Sequence, residues 1–157
     1  MLHIGTCAPF FRAPDADGKP HTLDSLLQTG PLVLYFYPGD FSILCTRHAC
    51  LLRNSFEEID GVAGASIVGV SADDAATHRR FKERYRLPFL LLGDPSKTIH
   101  KAYQVTVLGG LFTQRVTFVI DRVGVIRAVF HHQFSVGKHL TDIKAALAKL
   151  YPAGGAR

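Results

Sequence analysis

The chain has 157 residues, of which 47% are hydrophobic and 20% are charged, and its net charge at pH 7 is +5. This length and composition exclude a disordered chain and predict one compact domain over residues 1–151, with a frayed tail over 152–157. No apolar run approaches the roughly 18 residues that a membrane helix needs, and the first residues lack the pattern of a secretory signal. We therefore expect a cytoplasmic protein that does not enter a membrane.

The positive charge raises the question of nucleic-acid binding, because residues 78–86 mix basic and aromatic side chains. In this segment Phe81 and Tyr85 are four residues apart and share one helical face, while the basic residues lie elsewhere. An amphipathic helix with a solvated basic face accounts for the whole pattern. We therefore expect no nucleic-acid partner.

Apolar runs alternate with amphipathic segments along the chain. The apolar runs predict strands at 32–37, 65–70, 89–92, 115–120 and 125–130. Helical spacing predicts helices at about 43–59, from the cap candidates at 71–74 to Tyr85, at 96–103 and at 138–150. The continuous apolar strands indicate a sheet covered on both faces. The order of elements predicts an α/β sandwich with a central mixed sheet flanked by helices, which is the arrangement of a thioredoxin-like domain with an N-terminal extension.

Three cysteines are too few to hold together a secreted fold of this size, so they are considered first as metal ligands or reactive thiols. Cys45 falls where a strand has ended and a helix begins, at the edge of a sheet where ligand crevices form. The unpaired N–H groups of a first helical turn stabilise a thiolate there, and the thiolate is the nucleophile. Arg115, at the start of the strand 115–120, would add a fixed positive charge if that strand lies beside the strand 32–37.

Cys50 follows Cys45 by five residues. On an intact helix the two Cα atoms would be about 8.6 Å apart, whereas a disulfide needs roughly 4.4 to 6.8 Å. A disulfide between them therefore requires the helix to unwind locally. We expect oxidation to melt the first turns of this helix.

The segment 35–50 resembles the peroxiredoxins, and within them the atypical two-cysteine peroxiredoxin Q or bacterioferritin comigratory type. The usual signature is Pro, three residues, Thr, two residues and the peroxidatic Cys, with a resolving Cys five positions later in this branch. Pro38, Ser42, Cys45 and Cys50 stand at those positions. Further segments that match the family lie at 5–10, 68–71, 91–94 and 115–121.

The resemblance implies a peroxidase that uses no flavin, haem or metal cofactor. Cys45 would attack hydrogen peroxide or an organic hydroperoxide and become a sulfenic acid, and Cys50 would then resolve it as a disulfide. Arg115 would polarise the peroxide, Pro38 would shield the pocket from water, and the Ser42 hydroxyl would hold the peroxide oxygens. Thioredoxin or a similar dithiol would reduce the disulfide, and the protein would be a monomer.

Three positions depart from the family pattern. Ser42 replaces the usual Thr and loses the methyl group that fixes the rotamer, so we expect weaker activity. Leu44 replaces a common Gly, which makes the rim of the pocket more apolar and favours organic hydroperoxides. His48 stands where the branch commonly has Glu: a neutral imidazole would lose a bracing charge, and a protonated one would favour the thiolate. The sequence leaves both states of His48 open.

Two alternative functions use the same cysteines. A metal site of Cys45, Cys50 and a distant His would resemble thioredoxin-like copper carriers, but those have a shorter cysteine spacing. A general dithiol–disulfide oxidoreductase prefers two residues between its cysteines, whereas four separate Cys45 from Cys50. Cys7 lies outside the motif and is interpreted as an incidental thiol. His131 and His132 are interpreted as exposed residues at a strand end.

Overall fold

The structure is a computed structural model that describes residues 2–62, 64–131 and 136–151. The predicted tail 152–157 and His132 lie outside the described residues. In chain order the elements are β1 (Arg12–Pro14), β2 (Pro20–Thr22), α1 (Leu23–Leu26), β3 (Leu32–Phe36), α2 (Ile43–Asn54), α3 (Phe56–Asp60), β4 (Ser66–Ser71), α4 (Ala75–Tyr85), β5 (Leu90–Gly93), α5 (Thr98–Ala102), β6 (Thr106–Val107), β7 (Phe112–Thr113), β8 (Val116–Ile120), β9 (Ile126–His131) and α6 (Val136–Leu150).

The central feature is a five-stranded mixed sheet in the order β5–β4–β3–β8–β9. β3, β4 and β5 run parallel, whereas β8 runs antiparallel to β3 and β9 runs antiparallel to β8. Phe36, the last residue of β3, pairs with Val116, the first residue of β8. The end of β3 and the start of β8 therefore meet at the same edge of the sheet.

Both faces of the sheet are covered, as the continuous apolar strands predict. All five residues of β3 are buried, and their side chains alternate between two hydrophobic cores. The N-terminal segment, α1 and α5 contribute to the core on one face. Helices α2, α4 and α6 contribute to the core on the other face, which also contains Cys45. The predicted α/β sandwich with a central mixed sheet is confirmed.

The helix that was predicted over 43–59 is wrong in its extent, because two helices occupy this segment. α2 ends at Asn54, Ser55 leaves the helical conformation with φ of −108° and ψ of 7°, and α3 begins at Phe56. The periodic apolar residues Leu52, Phe56 and Ile59 hid this break. All three are at least partly buried on the same face of the sheet, so the apolar pattern runs across the interruption.

The N-terminal extension contains elements that the sequence pattern did not reveal. β1 and β2 form a short antiparallel hairpin, and Thr22 caps α1 through reciprocal hydrogen bonds with Ser25. Both strands have three residues and include a proline, so the alternation of apolar and polar residues is too short to recognise. Among the described residues, no helix is both long enough and apolar enough to cross a membrane.

Candidate active site

The loop from β3 to α2 places Cys45 in the first turn of a helix. Ser42 is the N-cap of α2, and its hydroxyl oxygen accepts a hydrogen bond of 3.3 Å from the backbone N–H of Cys45. The same hydroxyl donates to the carbonyl oxygen of Gly39 at 3.3 Å. The short side chain of Ser42 therefore both starts α2 and fixes the turn that precedes it.

Cys45 and Arg115 are in direct contact. Both residues are buried, each with 2% of its surface exposed. Nη2 of Arg115 lies 3.2 Å from Sγ of Cys45 and donates to it. Arg115 directly precedes β8, and the pairing of Phe36 with Val116 brings it to the end of β3. A guanidinium keeps its positive charge at all accessible pH values, so this contact places a fixed positive charge beside the sulfur.

His48 is the second contact of Arg115 on α2. Its Nδ1 lies 3.3 Å from Nη1 of Arg115, and the side chain is completely buried. Because guanidinium nitrogens can only donate, Nδ1 must accept and carries no proton. Of the two states that the sequence left open for His48, this contact favours the neutral imidazole.

Cys50 lies on the same uninterrupted helix as Cys45, and its side chain is half-buried. Both thiols are free. On a regular helix five residues separate their Cα atoms by about 8.6 Å, which is too far for a disulfide. This is the reduced arrangement of the two cysteines. Cys7 is a free, exposed thiol outside this helix, and its backbone pairs with that of Val125 in an isolated bridge.

The rim of the site combines polar and apolar residues. Pro38 and Ser42 are exposed, and Leu44 is half-buried. Phe41 and Ile43 are exposed by 46% and 88%. Phe41 has a φ of +63°, which is rare for a bulky residue, and its ring packs at 5.1 Å from that of Phe81 on α4. The loop that precedes Cys45 therefore packs against α4.

A buried polar network anchors this loop, and sequence reasoning missed it. Asp40 accepts a hydrogen bond of 2.5 Å from the Tyr37 hydroxyl at Oδ1, and its Oδ2 lies 2.6 Å from Nδ1 of His78. The side chains of Asp40 and His78 are both fully buried. Burial, with the nearby Tyr35 and Asp40, raises the pKa of Tyr37 well above its usual value, so its hydroxyl remains a donor. One signal was available: His78 is three residues before the buried Phe81 and shares its helical face.

The described residues include one group with the composition of a metal site. Candidate ligand atoms of Asp40, Asp73 and His78 lie within 4.8 Å of one another. These atoms already take part in hydrogen bonds, since Asp73 accepts from the Asp40 backbone N–H at 2.8 Å and from the Ser71 hydroxyl at 2.6 Å. Neither Cys45 nor Cys50 belongs to this group. These hydrogen bonds explain why the three side chains lie close together.

The chain is similar in sequence to characterised families. The model of the AhpC/TSA family matches residues 4–129. Peroxiredoxin Q, chloroplastic, from Oryza sativa subsp. japonica is 40% identical over 147 residues, which cover 93% of this chain and 67% of the relative. The corresponding protein of Populus jackii is 40% identical over 150 residues, which cover 95% of this chain and 70% of the relative. The chain thus spans about two thirds of the length of these relatives.

Solved structures of related proteins have the same fold. Peroxidoxin BcpB from Mycobacterium tuberculosis superimposes with a TM-score of 0.89 at 33% identity, over 96% of this chain and 99% of that one. The bacterioferritin comigratory protein of Xanthomonas campestris superimposes with a TM-score of 0.82 at 26% identity, over 90% and 92% of the two chains. The predicted thioredoxin-like arrangement is therefore confirmed.

These relatives correct one prediction and establish the family. The expected cytoplasmic location is contradicted, because the curated relatives are named as chloroplastic proteins. The resemblance to peroxiredoxins is confirmed by the family match, by the curated relatives and by the solved structures. The chain belongs to the AhpC/TSA family, and it is a thiol-dependent peroxidase of the peroxiredoxin Q type.

Proposed function

We propose that Cys45 is the peroxidatic thiolate of this enzyme, that Cys50 resolves its oxidised form, and that thioredoxin or a similar dithiol recycles the disulfide. The observation that carries the proposal is the 3.2 Å contact between Nη2 of Arg115 and Sγ of the buried Cys45. It combines a nucleophile, a fixed positive charge and a helix N-terminus in one place. This is the arrangement that thiolate attack on a neutral, polarisable bond requires.

The first step oxidises Cys45 by two electrons. The thiolate attacks one oxygen of the peroxide, a sulfur–oxygen bond forms and the oxygen–oxygen bond breaks. The released alkoxide or hydroxide takes up a proton and leaves as alcohol or water, while Cys45 becomes a sulfenic acid. Arg115 is proposed to stabilise both the thiolate and the negative charge that develops on the departing oxygen.

The second step joins Cys45 to Cys50. The Cys50 thiolate attacks the sulfenic sulfur, the disulfide forms, and the sulfenic oxygen leaves as water after protonation. A dithiol then reduces the disulfide and is itself oxidised. The two sulfurs cannot meet while α2 is intact, so the helix must unwind locally in each catalytic cycle.

Ser42 and Pro38 are proposed to shape the peroxide site. Ser42 lies at the mouth of the site, where its hydroxyl is already oriented by the Cys45 N–H and the Gly39 carbonyl. We propose that this hydroxyl also holds a peroxide oxygen. Pro38 begins the turn between β3 and α2, and we propose that its ring limits access of water to the sulfur.

Hydrogen peroxide and organic hydroperoxides are the proposed substrates. Phe41 and Ile43 have exposed apolar side chains, and the half-buried Leu44 directly precedes Cys45 in the chain. Together they offer a surface for the carbon tail of an organic hydroperoxide. The related Xanthomonas campestris protein is described with alkyl peroxide reduction activity. Both reacting cysteines lie on one helix of one chain, so the cycle needs no second subunit, and we propose a monomer.

The experiment is a coupled assay with reduced protein, peroxide and a thioredoxin system, in which consumption of the reductant is followed. Cys45→Ser is expected to abolish turnover. Cys50→Ser is expected to react once with peroxide but not to be recycled, and Cys7→Ser serves as the matched control that turns over normally. Turnover by the Cys45→Ser protein would overturn the assignment. Reduction of insulin disulfides without peroxide consumption would indicate a general dithiol–disulfide oxidoreductase instead.

A further inference from the structure

The guanidinium of Arg115 is held between two side chains of α2. Nη2 contacts Sγ of Cys45 at 3.2 Å, and Nη1 contacts Nδ1 of His48 at 3.3 Å. Cys45 and His48 are three residues apart on α2 and therefore point to the same side of the helix. These two contacts hold the planar group through two of its nitrogens, and both contribute to its orientation.

His48 makes its contact as a neutral acceptor. Its Nδ1 faces a group that has only donors and is permanently charged. A proton on Nδ1 would place a second positive charge 3.3 Å from the first in a buried site, where such repulsion is weakly screened. An acidic side chain would accept equally well, but it would offset the positive charge of the guanidinium. A neutral imidazole orients Arg115 and leaves its charge directed at the sulfur.

The ring of His48 has little freedom to move. It packs on the Tyr35 ring with the centroids 4.9 Å apart, and Tyr35 in turn stacks on Tyr37 at 5.2 Å. Tyr35 also lies over Gly69 of β4, where a Cβ atom would approach its hydroxyl to 2.8 Å. The glycine makes room for the tyrosine, and the tyrosine supports the imidazole. The acceptor is therefore held in place by the sheet beneath it.

We infer that His48 is a positioning residue of the peroxidase reaction, which holds the Arg115 guanidinium against Cys45 by accepting a hydrogen bond from Nη1. The inference rests on the proposed role of Cys45. It assigns to His48 a function that depends on one acceptor atom, the unprotonated Nδ1. The side-chain oxygen of asparagine reaches nearly the same point as Nδ1, whereas leucine fills the space without an acceptor.

The test compares His48→Asn with His48→Leu in a protein that carries Cys7→Ser and Cys50→Ser, so that Cys45 is the single thiol. Arg47→Gln, an exposed change on the same helix, is the matched control. Two quantities are measured: the thiolate fraction of Cys45 across pH by ultraviolet absorbance, and the rate of its oxidation by hydrogen peroxide in stopped flow. Circular dichroism checks the fold of each variant, and His48→Val replaces the leucine variant if that one does not fold.

We expect His48→Leu to slow oxidation of Cys45 about tenfold or more and to reduce its thiolate fraction at neutral pH, because a misplaced catalytic group costs up to about a hundredfold. His48→Asn should recover most of the lost rate. Equal rates and equal thiolate fractions for His48→Leu and its parent would overturn the inference, as would an asparagine variant as slow as the leucine variant. The thiolate titration needs no peroxide, so it tests His48 even in a protein whose Cys45 fails to react.

Discussion

Nη2 of Arg115 lies 3.2 Å from Sγ of Cys45, although 70 positions separate the two residues in the chain. The contact depends on the register between β3 and β8, in which Phe36 faces Val116. A shift by one residue would turn the side chains of β8 to the opposite face of the sheet. The sheet register therefore determines the electrostatic environment of the thiol.

Replacement of Arg115 by lysine tests whether the shape of the cation matters. Lysine keeps the charge, but one ammonium group does not reproduce a planar fork that contacts Cys45 and His48 together. We expect Arg115→Lys to slow oxidation of Cys45 by about ten- to a hundredfold and Arg115→Met to slow it further. Stopped-flow oxidation of the Cys50→Ser protein gives the rates. Arg127→Lys, a change at a half-exposed arginine, is the control. If Arg115→Lys reacts as fast as this control, the shape of the cation does not matter.

Oxidation of the native protein should open α2. Both cysteines lie within this helix, and its regular geometry keeps them too far apart for a disulfide. We expect the backbone amides of residues 43–50 to exchange with deuterium faster in the disulfide form, while those of β3 remain protected. The Cys50→Ser protein treated with peroxide is the control and should retain its protection. An oxidised protein that contains the disulfide and an unchanged pattern of exchange would refute this mechanism.

The sequence predicted the sheet and the position of Cys45 because both depend on local patterns. The run 32–37 is apolar throughout since β3 is buried on both faces, and the Pro38-Gly39-Asp40 turn marks the end of the strand. Arg115 could be named as a candidate partner for a similar reason. It stands at the start of an apolar run, and the hypothesis required only that this run lie beside β3, which the structure shows.

The contacts of Asp40 and His48 could not be predicted from the sequence. Asp40 meets His78 over a separation of 38 residues, and His48 meets Arg115 over 67. Such pairs depend on where helices pack on the sheet, which local spacing does not encode. The contact that favours a neutral His48 joins two distant parts of the chain, so only the fold shows it. The break at Ser55 was missed because apolar spacing continues across it.

Tyr35 lies in β3, and Tyr37 directly follows this strand. Replacement by phenylalanine should have opposite effects on stability at the two positions. Within the described part of the chain the Tyr35 hydroxyl is buried without a hydrogen-bond partner, whereas the Tyr37 hydroxyl donates to Asp40. Burial raises the pKa of both groups well above the usual value, so neither ionises. We expect Tyr35→Phe to raise the free energy of unfolding by about 1 kcal/mol and Tyr37→Phe to lower it by about 2 kcal/mol. Urea denaturation measures both, and a destabilised Tyr35→Phe protein would show that its hydroxyl has a partner.

The buried pair of Asp40 and His78 should contribute far more to stability than the exposed pair beside it. Asp40 and His78 are fully buried, whereas Arg79 and Asp17, 3.1 Å apart, have side chains exposed by 54% and 76%. His78→Leu leaves the Asp40 carboxylate buried without its imidazole partner, which costs about 3–5 kcal/mol. Arg79→Leu should change the free energy of unfolding by less than about 1 kcal/mol. Similar losses in the two variants, measured by urea denaturation, would mean that the buried pair is not the anchor of the loop.

The turn between β8 and β9 should make stability depend on pH through Asp121. Burial alone would raise the pKa of this carboxyl, but hydrogen bonds from the Val125 backbone N–H at 2.9 Å and from Arg127 at 2.7 Å hold its pKa below the usual value. A carboxyl with a lowered folded-state pKa stabilises the fold above its unfolded pKa of about 4, and this contribution is lost as the pH falls below that value.

We expect Asp121→Asn to lower the free energy of unfolding by about 1 kcal/mol at neutral pH, since the charge-assisted bond to Arg127 is lost. The difference between the two proteins should shrink as the pH falls below about 4, where the aspartate becomes protonated in both states of the wild-type chain. Urea denaturation over a series of pH values measures it, with the exposed Asp60→Asn as control. A difference that stays constant down to the lowest pH would show that Asp121 acts through its hydrogen-bond geometry and not through its charge.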